Sequence, residues 1–293
     1  MAEIVNLNRA LIQEFEPVRP EDGHKNTFGL ALICAGSAYM TGAAVLACGA
    51  ALRSGAGLVK VFSEENTLNA VRFNEPCALL SLRPEGTAEL LRTAGKLCKS
   101  SSSVLIGPGI PQDLKDLEAL VTCFIENAGN LVLDAGALMY KPDVLARLKE
   151  KLKSRQVPAV ITPHIGEFAR MLRLTTAEVS ADAGELSLRF AAEHNVVVVL
   201  KGAVTLIATP DGRLFANDAA NSGLAKGGSG DVLAGLLAGI LAQGVEPYKA
   251  ACSAVYIHSK AGESAAGELG VRMMLPEDLI VYLPDGYLEA GWR

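Results

Sequence analysis

No stretch of this chain is apolar for long enough to cross a bilayer. Its longest apolar runs are broken by glycine, and a spanning helix needs about 20 predominantly apolar residues. A signal peptide is not expected: Met1 to Pro20 is polar with scattered apolar residues, without a basic start and an apolar centre. Positive charge is not in excess. Lys and Arg total 27 against 32 Asp and Glu, for a net charge of -5 and a pI near 5.5. That balance argues against a nucleic-acid-binding surface, and no block of like charge marks a membrane anchor. Cys-x-x-Cys pairs are absent. The six cysteines, Cys34, Cys48, Cys77, Cys98, Cys123 and Cys252, are scattered, mostly in apolar segments. They read as buried free thiols in a reducing cytoplasm rather than a disulfide or zinc framework. Tryptophan occurs once, and no Pro/Ser-rich or charged linker, repeat or low-complexity tract interrupts the middle. With 293 residues, half of them hydrophobic, the chain supports a sizeable core, read here as one domain over residues 1–293.

What is present is a recurring grammar. Short apolar runs alternate with helical patterns: Leu30 to Ala35, Leu58 to Phe62, Ser103 to Ile106, Leu131 to Leu133, Ala159 to Ile161 and Val196 to Leu200. Helices are expected over Thr41 to Arg53, Pro142 to Lys153, Ala181 to His194 and Asp231 to Gln243, and a leading helix over Leu7 to Phe15. Continuous apolar strands between helices indicate an α/β fold with a mostly parallel sheet covered on both faces. Thr205 to Thr209 and Leu214 to Ala216, joined by Pro210-Asp211-Gly212, read instead as a hairpin. Gly36, Gly107, Asp134, His164 and Lys201 each follow a strand-like run. Carboxyl ends of parallel strands form the ligand crevice of such sheets, so five strand ends direct chemistry to one edge.

The densest signal is Asn221 to Gly235, where Gly227, Gly228, Ser229 and Gly230 precede Asp231 and an apolar run. Glycines let backbone N–H groups approach a ligand, and a helix start favours negative charge, so the loop suits a phosphate. A tight turn with an Asp cap is the alternative. Neither a P-loop nor a Rossmann fingerprint is present. The helix that follows is apolar on nearly all faces, with Gly235 and Gly239 permitting close packing. Thr162-Pro163-His164-Ile165-Gly166-Glu167 opens a helix; Glu167 suits a first-turn acid and His164 either a loop hydrogen-bonder or a ligand contact. Lys201 is a turn lysine or a phosphate-binding point charge. His258, within an apolar helical pattern, reads as a core histidine. No residue set completes a protein metal site.

Together these residues carry a resemblance. His24-Lys25, Gly36-Ser37 with Gly42-Ala43, Gly107-Pro108-Gly109, Asp134-Ala135, the Thr162–Glu167 loop, Lys201-Gly202 and the Asn221–Asp231 loop look like the ADP/ATP-dependent (S)-NAD(P)H-hydrate dehydratase family. That family is a branch of the ribokinase-like superfamily, and the likeness spans about residues 20 to 285. The resemblance implies a ribokinase-like three-layer sandwich. It implies ADP-dependent dehydration of the hydrated forms of NADH and NADPH: the added ring hydroxyl is phosphorylated and phosphate is then eliminated. ADP serves bacterial-type members, ATP eukaryotic ones, with Mg²⁺. It implies Asp231 as the catalytic base, the N–H groups of Gly228, Ser229 and Gly230 as the phosphate hole, Lys201, Gly202, Ala203, Val204, Thr205 and Gly230 around the nucleotide, and Ala43, Gly109, His164 and Asp231 around the hydrate. A homotetramer and a separate epimerase in the same pathway are also implied, because no fused epimerase domain is expected. The alternative is a ribokinase-like kinase for a vitamin precursor such as hydroxyethylthiazole. Two departures stand out: Gly136 replaces a commonly acidic residue and Met139 a common Asn. Asp231, at a helix start, is expected to stay ionised and weakly basic.

Overall fold

The computed structural model describes residues 3–138 and 142–292. In chain order its elements are β1 (Ile4–Asn6), α1 (Arg9–Gln13), β2 (Leu30–Cys34), α2 (Thr41–Leu52), β3 (Leu58–Ser63), α3 (Glu65–Asn74), β4 (Leu79–Leu82), α4 (Thr87–Lys99), β5 (Ser103–Ile106) and α5 (Leu117–Asn127). There follow β6 (Asn130–Leu133), α6 (Pro142–Lys153), β7 (Ala159–Ile161), α7 (Ile165–Leu172), α8 (Thr176–Ala181), α9 (Ala183–His194), β8 (Val196–Leu200), β9 (Val204–Ala208), β10 (Leu214–Asp218), α10 (Ser229–Ala242), α11 (Pro247–Leu269) and α12 (Pro276–Ala290). The ten strands form one sheet in the order β1-β10-β9-β8-β7-β6-β5-β2-β3-β4. Among the described strands only β9 runs against its neighbours, pairing antiparallel with both β8 and β10.

Alternation along the strands builds two cores. In β2, Ala31 and Ile33 face one side while Leu32 and Cys34 face the other, as a period of two requires. The first side packs against α2, α10, α11 and α12, the second against α4, α5, α6, α7 and α9. Both faces are therefore covered. This is why β8 reads as five consecutive apolar residues, all buried. The hairpin is β9–β10, as expected. The N-terminal expectation is corrected: Ile4–Asn6 pairs in parallel with Leu214–Ala216, and the helix after it is shorter, Arg9–Gln13, because Asn8 caps it by accepting a 3.0 Å bond from Leu11 N–H. The expected helix over Ala181 to His194 begins instead at Ala183, after a separate α8 that the Thr175–Glu178 capping box starts.

Helix α10 fixes the geometry of everything at its start. Every residue from Val232 to Ala242 is buried. Its glycines allow α2 to lie against it: a Cβ on Gly235 would stand 2.1 Å from Ala47 O, and one on Gly239 1.9 Å from Ser54 Oγ. The second contact adds a polar seam, since Gln243 Nε2 donates to Ser54 O at 2.8 Å. A methyl at Gly235 has a backbone carbonyl in its way and no flexible side chain to displace. Gly235→Ala should therefore destabilise by roughly 2–3 kcal/mol, read as a lower midpoint in thermal or urea unfolding. An unchanged midpoint would show that α2 and α10 part easily.

Candidate active site

The strands whose ends carry the unusual residues are five consecutive neighbours in the sheet, β8-β7-β6-β5-β2. Lys201, His164, Asp134, Gly107 and Gly36 therefore line up along one edge. Backbone hydrogen bonds carry this row beyond the strands. Lys201 N–H donates to Pro163 O at 2.8 Å, Gly36 N–H to Pro108 O at 2.7 Å and Gly136 N–H to Gly107 O at 3.3 Å. Gly107 is fixed by contact: its φ is 130° and a Cβ would meet Asp134 O at 1.7 Å.

Charge concentrates on three side chains. Asp134 is 1% exposed; its Oδ1 accepts from Thr162 Oγ1 at 2.6 Å and from Lys201 Nζ at 3.1 Å. Burial works against the Lys201 ammonium, but the carboxylates of Asp134, Glu167 and Asp231 outweigh it and hold its pKa above the usual lysine value. Asp231, in the first turn of α10, moves the other way from expectation. Burial, joined by the like charge of Asp134 and opposed by Lys201, raises its pKa to about 7. A helix start favours the anion by a modest amount; removal from water next to a second acid is the larger effect. Asp231 is accordingly a stronger base than its position in sequence suggests.

The His164 loop satisfies both of its readings. Glu167 Oε2 accepts from His164 N–H at 2.7 Å, while His164 Nδ1 accepts from the N–H groups of Gly166 and Glu167 at 3.0 and 3.3 Å. This reciprocal capping box uses a histidine where a serine is usual. Because Nδ1 accepts, the neutral ring carries its proton on Nε2. The side chain remains about half exposed on the wall of the cavity described below.

In the glycine-rich loop, Gly228 adopts φ 107°, and a Cβ there would lie 2.7 Å from Leu46 Cδ1. Ser229 N–H donates to Lys226 O at 3.2 Å, so this amide of the expected phosphate hole is already committed. The next two first-turn amides, Gly230 and Asp231, have no carbonyl one helical turn before them to bond. Lys226 does not reach into the crevice: its Nζ donates to Arg272 O and Met274 O at 2.8 and 2.6 Å and anchors the loop. Gly230 brings the loop to the strand ends, a Cβ there lying 3.2 Å from Lys201 Nζ.

A cavity of about 610 Å³ opens between these parts, walled by Lys201, Gly202, Ala203 and Thr205 on one side and by Ser229, Gly230 and His258 on the other. Val204 begins β9, is 44% exposed and lies outside that wall. Ala43 and Gly109 meet elsewhere along the edge: with φ 64°, Gly109 would place a Cβ 2.7 Å from Ala43 Cβ and 3.2 Å from Gly36 Cα. A wider hollow of about 760 Å³ beside α5 contains none of these residues. Two residues to which sequence reasoning assigns no role take part. Asp134 is legible there only as a strand-end residue. The other, read as a core histidine, is His258. It is buried, its Nε2–H donates to Ser229 O at 3.0 Å, and burial pushes its pKa down to about 4, so it is neutral. The departure at Gly136 is also explained sterically: a Cβ would stand 1.9 Å from Ile110 O, so no side chain fits without moving backbone. Met139 lies outside the described residues.

A three-layer α/β sandwich with a glycine-rich helix start facing the strand ends defines a ribokinase-like protein. Within that class, a model of the NAD(P)H-hydrate dehydratase family matches residues 31–285, and the chain belongs to this family. It is 34% identical over 272 residues to the ADP-dependent (S)-NAD(P)H-hydrate dehydratase of Bacillus subtilis, covering 92% of each chain. It is 36% identical over 273 residues to the bifunctional NAD(P)H-hydrate repair enzyme Nnr of Moorella thermoacetica, covering 92% of this chain but 51% of that one; the chain thus spans about half the length of that relative. Its structure matches the crystal structure of the Bacillus subtilis ADP/ATP-dependent NAD(P)H-hydrate dehydratase, co-crystallised with ATP and Mg²⁺, with TM-score 0.85, 31% identity and coverage of 98% and 99% of the two chains. The vitamin-kinase alternative has less support than these near full-length matches.

A carboxyl pKa raised on folding means that the native state holds the proton more tightly than the unfolded chain. Its stability contribution is present below about pH 4 and is lost as pH rises through about 7. Asp231→Asn removes the charge and keeps the shape. At pH 8 it should raise the melting temperature relative to the parent chain, with the difference vanishing toward pH 4. A lower melting temperature at pH 8 would mean that Asp231 is a stabilising cap.

Proposed function

We propose that the chain dehydrates (S)-NADH hydrate and (S)-NADPH hydrate in an ADP-dependent reaction. The observation that carries this is Asp231 within electrostatic reach of both the buried Asp134 and Lys201, at the start of a helix whose first residues, Ser229 and Gly230, line a nucleotide-sized cavity. Asp231 accepts the proton of the hydroxyl on the hydrated nicotinamide ring as the ring oxygen attacks the terminal phosphoryl group of the nucleotide. A base with pKa about 7 is half-ionised at neutral pH and strong enough to take a proton that leaves late in a loose phosphoryl transfer. The amides of Gly230 and Asp231 and the Lys201 ammonium meet the charge that gathers on the moving group. AMP is then the second product. Once phosphorylated, the ring carbon lies beside the ring nitrogen, whose lone pair expels phosphate; loss of a proton from the adjacent carbon restores the dihydronicotinamide.

Mg²⁺ supplies charge neutralisation on the nucleotide phosphates. Among the described residues no group of three or more His, Cys, Asp or Glu is arranged to hold a metal. Asp134 and Asp231 are the nearby carboxylates that would meet an ion carried by the nucleotide phosphates and water. Lys201, Gly202, Ala203, Thr205 and Gly230 are assigned to the nucleotide, and Ala43, Gly109, His164 and Asp231 to the hydrate. The family likeness further suggests a homotetramer in the cytoplasm, working with an epimerase for the other hydrate epimer; the two-function name of the Moorella relative supports that coupling. No helix among the described residues is long and apolar enough to cross a membrane.

The test is recovery of reduced-nicotinamide absorbance from NADH hydrate with Mg²⁺ and either ADP or ATP. Turnover is expected with ADP; none with either nucleotide would sink the proposal. Asp231→Asn should lower turnover by roughly 10²- to 10⁴-fold, and an unaltered rate would remove Asp231 from the mechanism. Turnover of the parent chain should decline as pH falls below about 7, where Asp231 becomes protonated. A rate flat down to pH 5 would contradict its role as base.

A further inference from the structure

Ser229 is the first residue of α10 and is 6% exposed. Its hydroxyl is shut off from solvent and, among the described residues, has no hydrogen-bond partner. Leaving a buried hydroxyl unpaired costs about 1–3 kcal/mol, so the group needs a reason to be there. Serines inside helices commonly bond the carbonyl of the preceding turn, as Ser259 does to Tyr256 O at 2.9 Å. Ser229 has no helical turn behind it. Its other polar groups are taken: the N–H by Lys226 O at 3.2 Å and the carbonyl by His258 Nε2 at 3.0 Å. Two anchors thus immobilise its backbone and leave only the hydroxyl uncommitted. The residue lies on the wall of the 610 Å³ cavity together with Lys201, Gly230 and His258. A Cβ on Gly230, the next residue, would lie 3.2 Å from the Lys201 ammonium, a cation that the carboxylates of Asp134, Glu167 and Asp231 hold in its charged form.

Resting on the nucleotide-site reading above, we propose that Ser229 serves that site through its hydroxyl rather than its amide: on nucleotide binding the side chain turns about its Cα–Cβ bond and donates to a phosphoryl oxygen beside Lys201 and Gly230. Staggered wells about that bond are few and close in energy, so the reorientation needs no backbone movement. His258 is the positioning residue, holding the Ser229 main chain while remaining uncharged, so that the lysine and the helix start alone provide the positive field.

The experiment measures two properties of Ser229→Ala: calorimetric ADP binding in the presence of Mg²⁺, and the melting temperature without nucleotide. Loss of one ligand hydrogen bond should weaken ADP binding about tenfold. The melting temperature should stay level or rise, since the variant removes an unsatisfied buried group. Unchanged ADP affinity would overturn the proposal. So would a lower melting temperature without nucleotide, which would assign the hydroxyl a partner inside the protein. Because ADP binding is read without hydrate, these outcomes are separate from failure of the dehydratase reading, which only the turnover assay reports.

Discussion

Two acids share one ammonium at the edge of this sheet. Asp134 is buried and receives Lys201 Nζ at 3.1 Å, while Asp231 takes only the longer-range part of that positive charge and rises to about 7. The imbalance is the useful feature. Without Lys201, Asp134 would be a buried anion whose side chain, among the described residues, is held by Thr162 alone, at a cost of several kcal/mol. The arrangement divides the work: Asp134 anchors the lysine, and the lysine is left exposed enough, at 21%, to meet an anion arriving from the cavity.

Such a site costs stability, and the surrounding structure offsets it by rigidity. Helix α10 is packed on nearly every side, and α2 approaches it along Gly235 and Gly239 more closely than any larger residue allows. The loop before it is tied down by Lys226 on Arg272 and Met274 carbonyls. Gly228 takes the left-handed conformation that lets the chain enter the helix directly beside Leu46 and Pro276. Asp231 therefore has little freedom to move toward water and relieve its raised pKa. The same packing that looks purely structural in sequence sustains an energetically unfavourable carboxylate.

Much of this was legible beforehand. Buried parallel strands announce themselves as continuous apolar runs, so the sheet and the row of strand-end residues are readable, and Gly235 and Gly239 are readable as permitting close packing, though not as meeting α2. What could not be read depends on distance in three dimensions. The strand Ile4–Asn6 exists because β10 offers it an edge, and its three residues carry no periodicity of their own. The ionisation of Asp231 is not legible in sequence, where the helix start is visible but burial and the charge of Asp134, almost a hundred residues earlier, are not. His258 looks like any apolar-helix histidine until Ser229 O is found 3.0 Å away. At Gly136, sequence shows a carboxylate missing; the fold shows the Ile110 carbonyl closing the space.

His164 shows why structural and functional readings of one residue need not compete. A serine cap would satisfy the amides of Gly166 and Glu167 at less steric expense, and capping boxes ordinarily use one. Histidine does the same task with Nδ1 and is left with a second nitrogen, carrying a proton and half exposed on the cavity wall. The bond that starts α7 thereby selects the tautomer, with the proton on Nε2, 3.6 Å from Glu167 Oε2. Glu167 completes the constraint by accepting the His164 amide while adding negative charge near Lys201. One loop of six residues thus fixes a histidine on the cavity wall and supports the charge of the lysine on the neighbouring strand. Neither effect requires any residue beyond those that the helix start already demands.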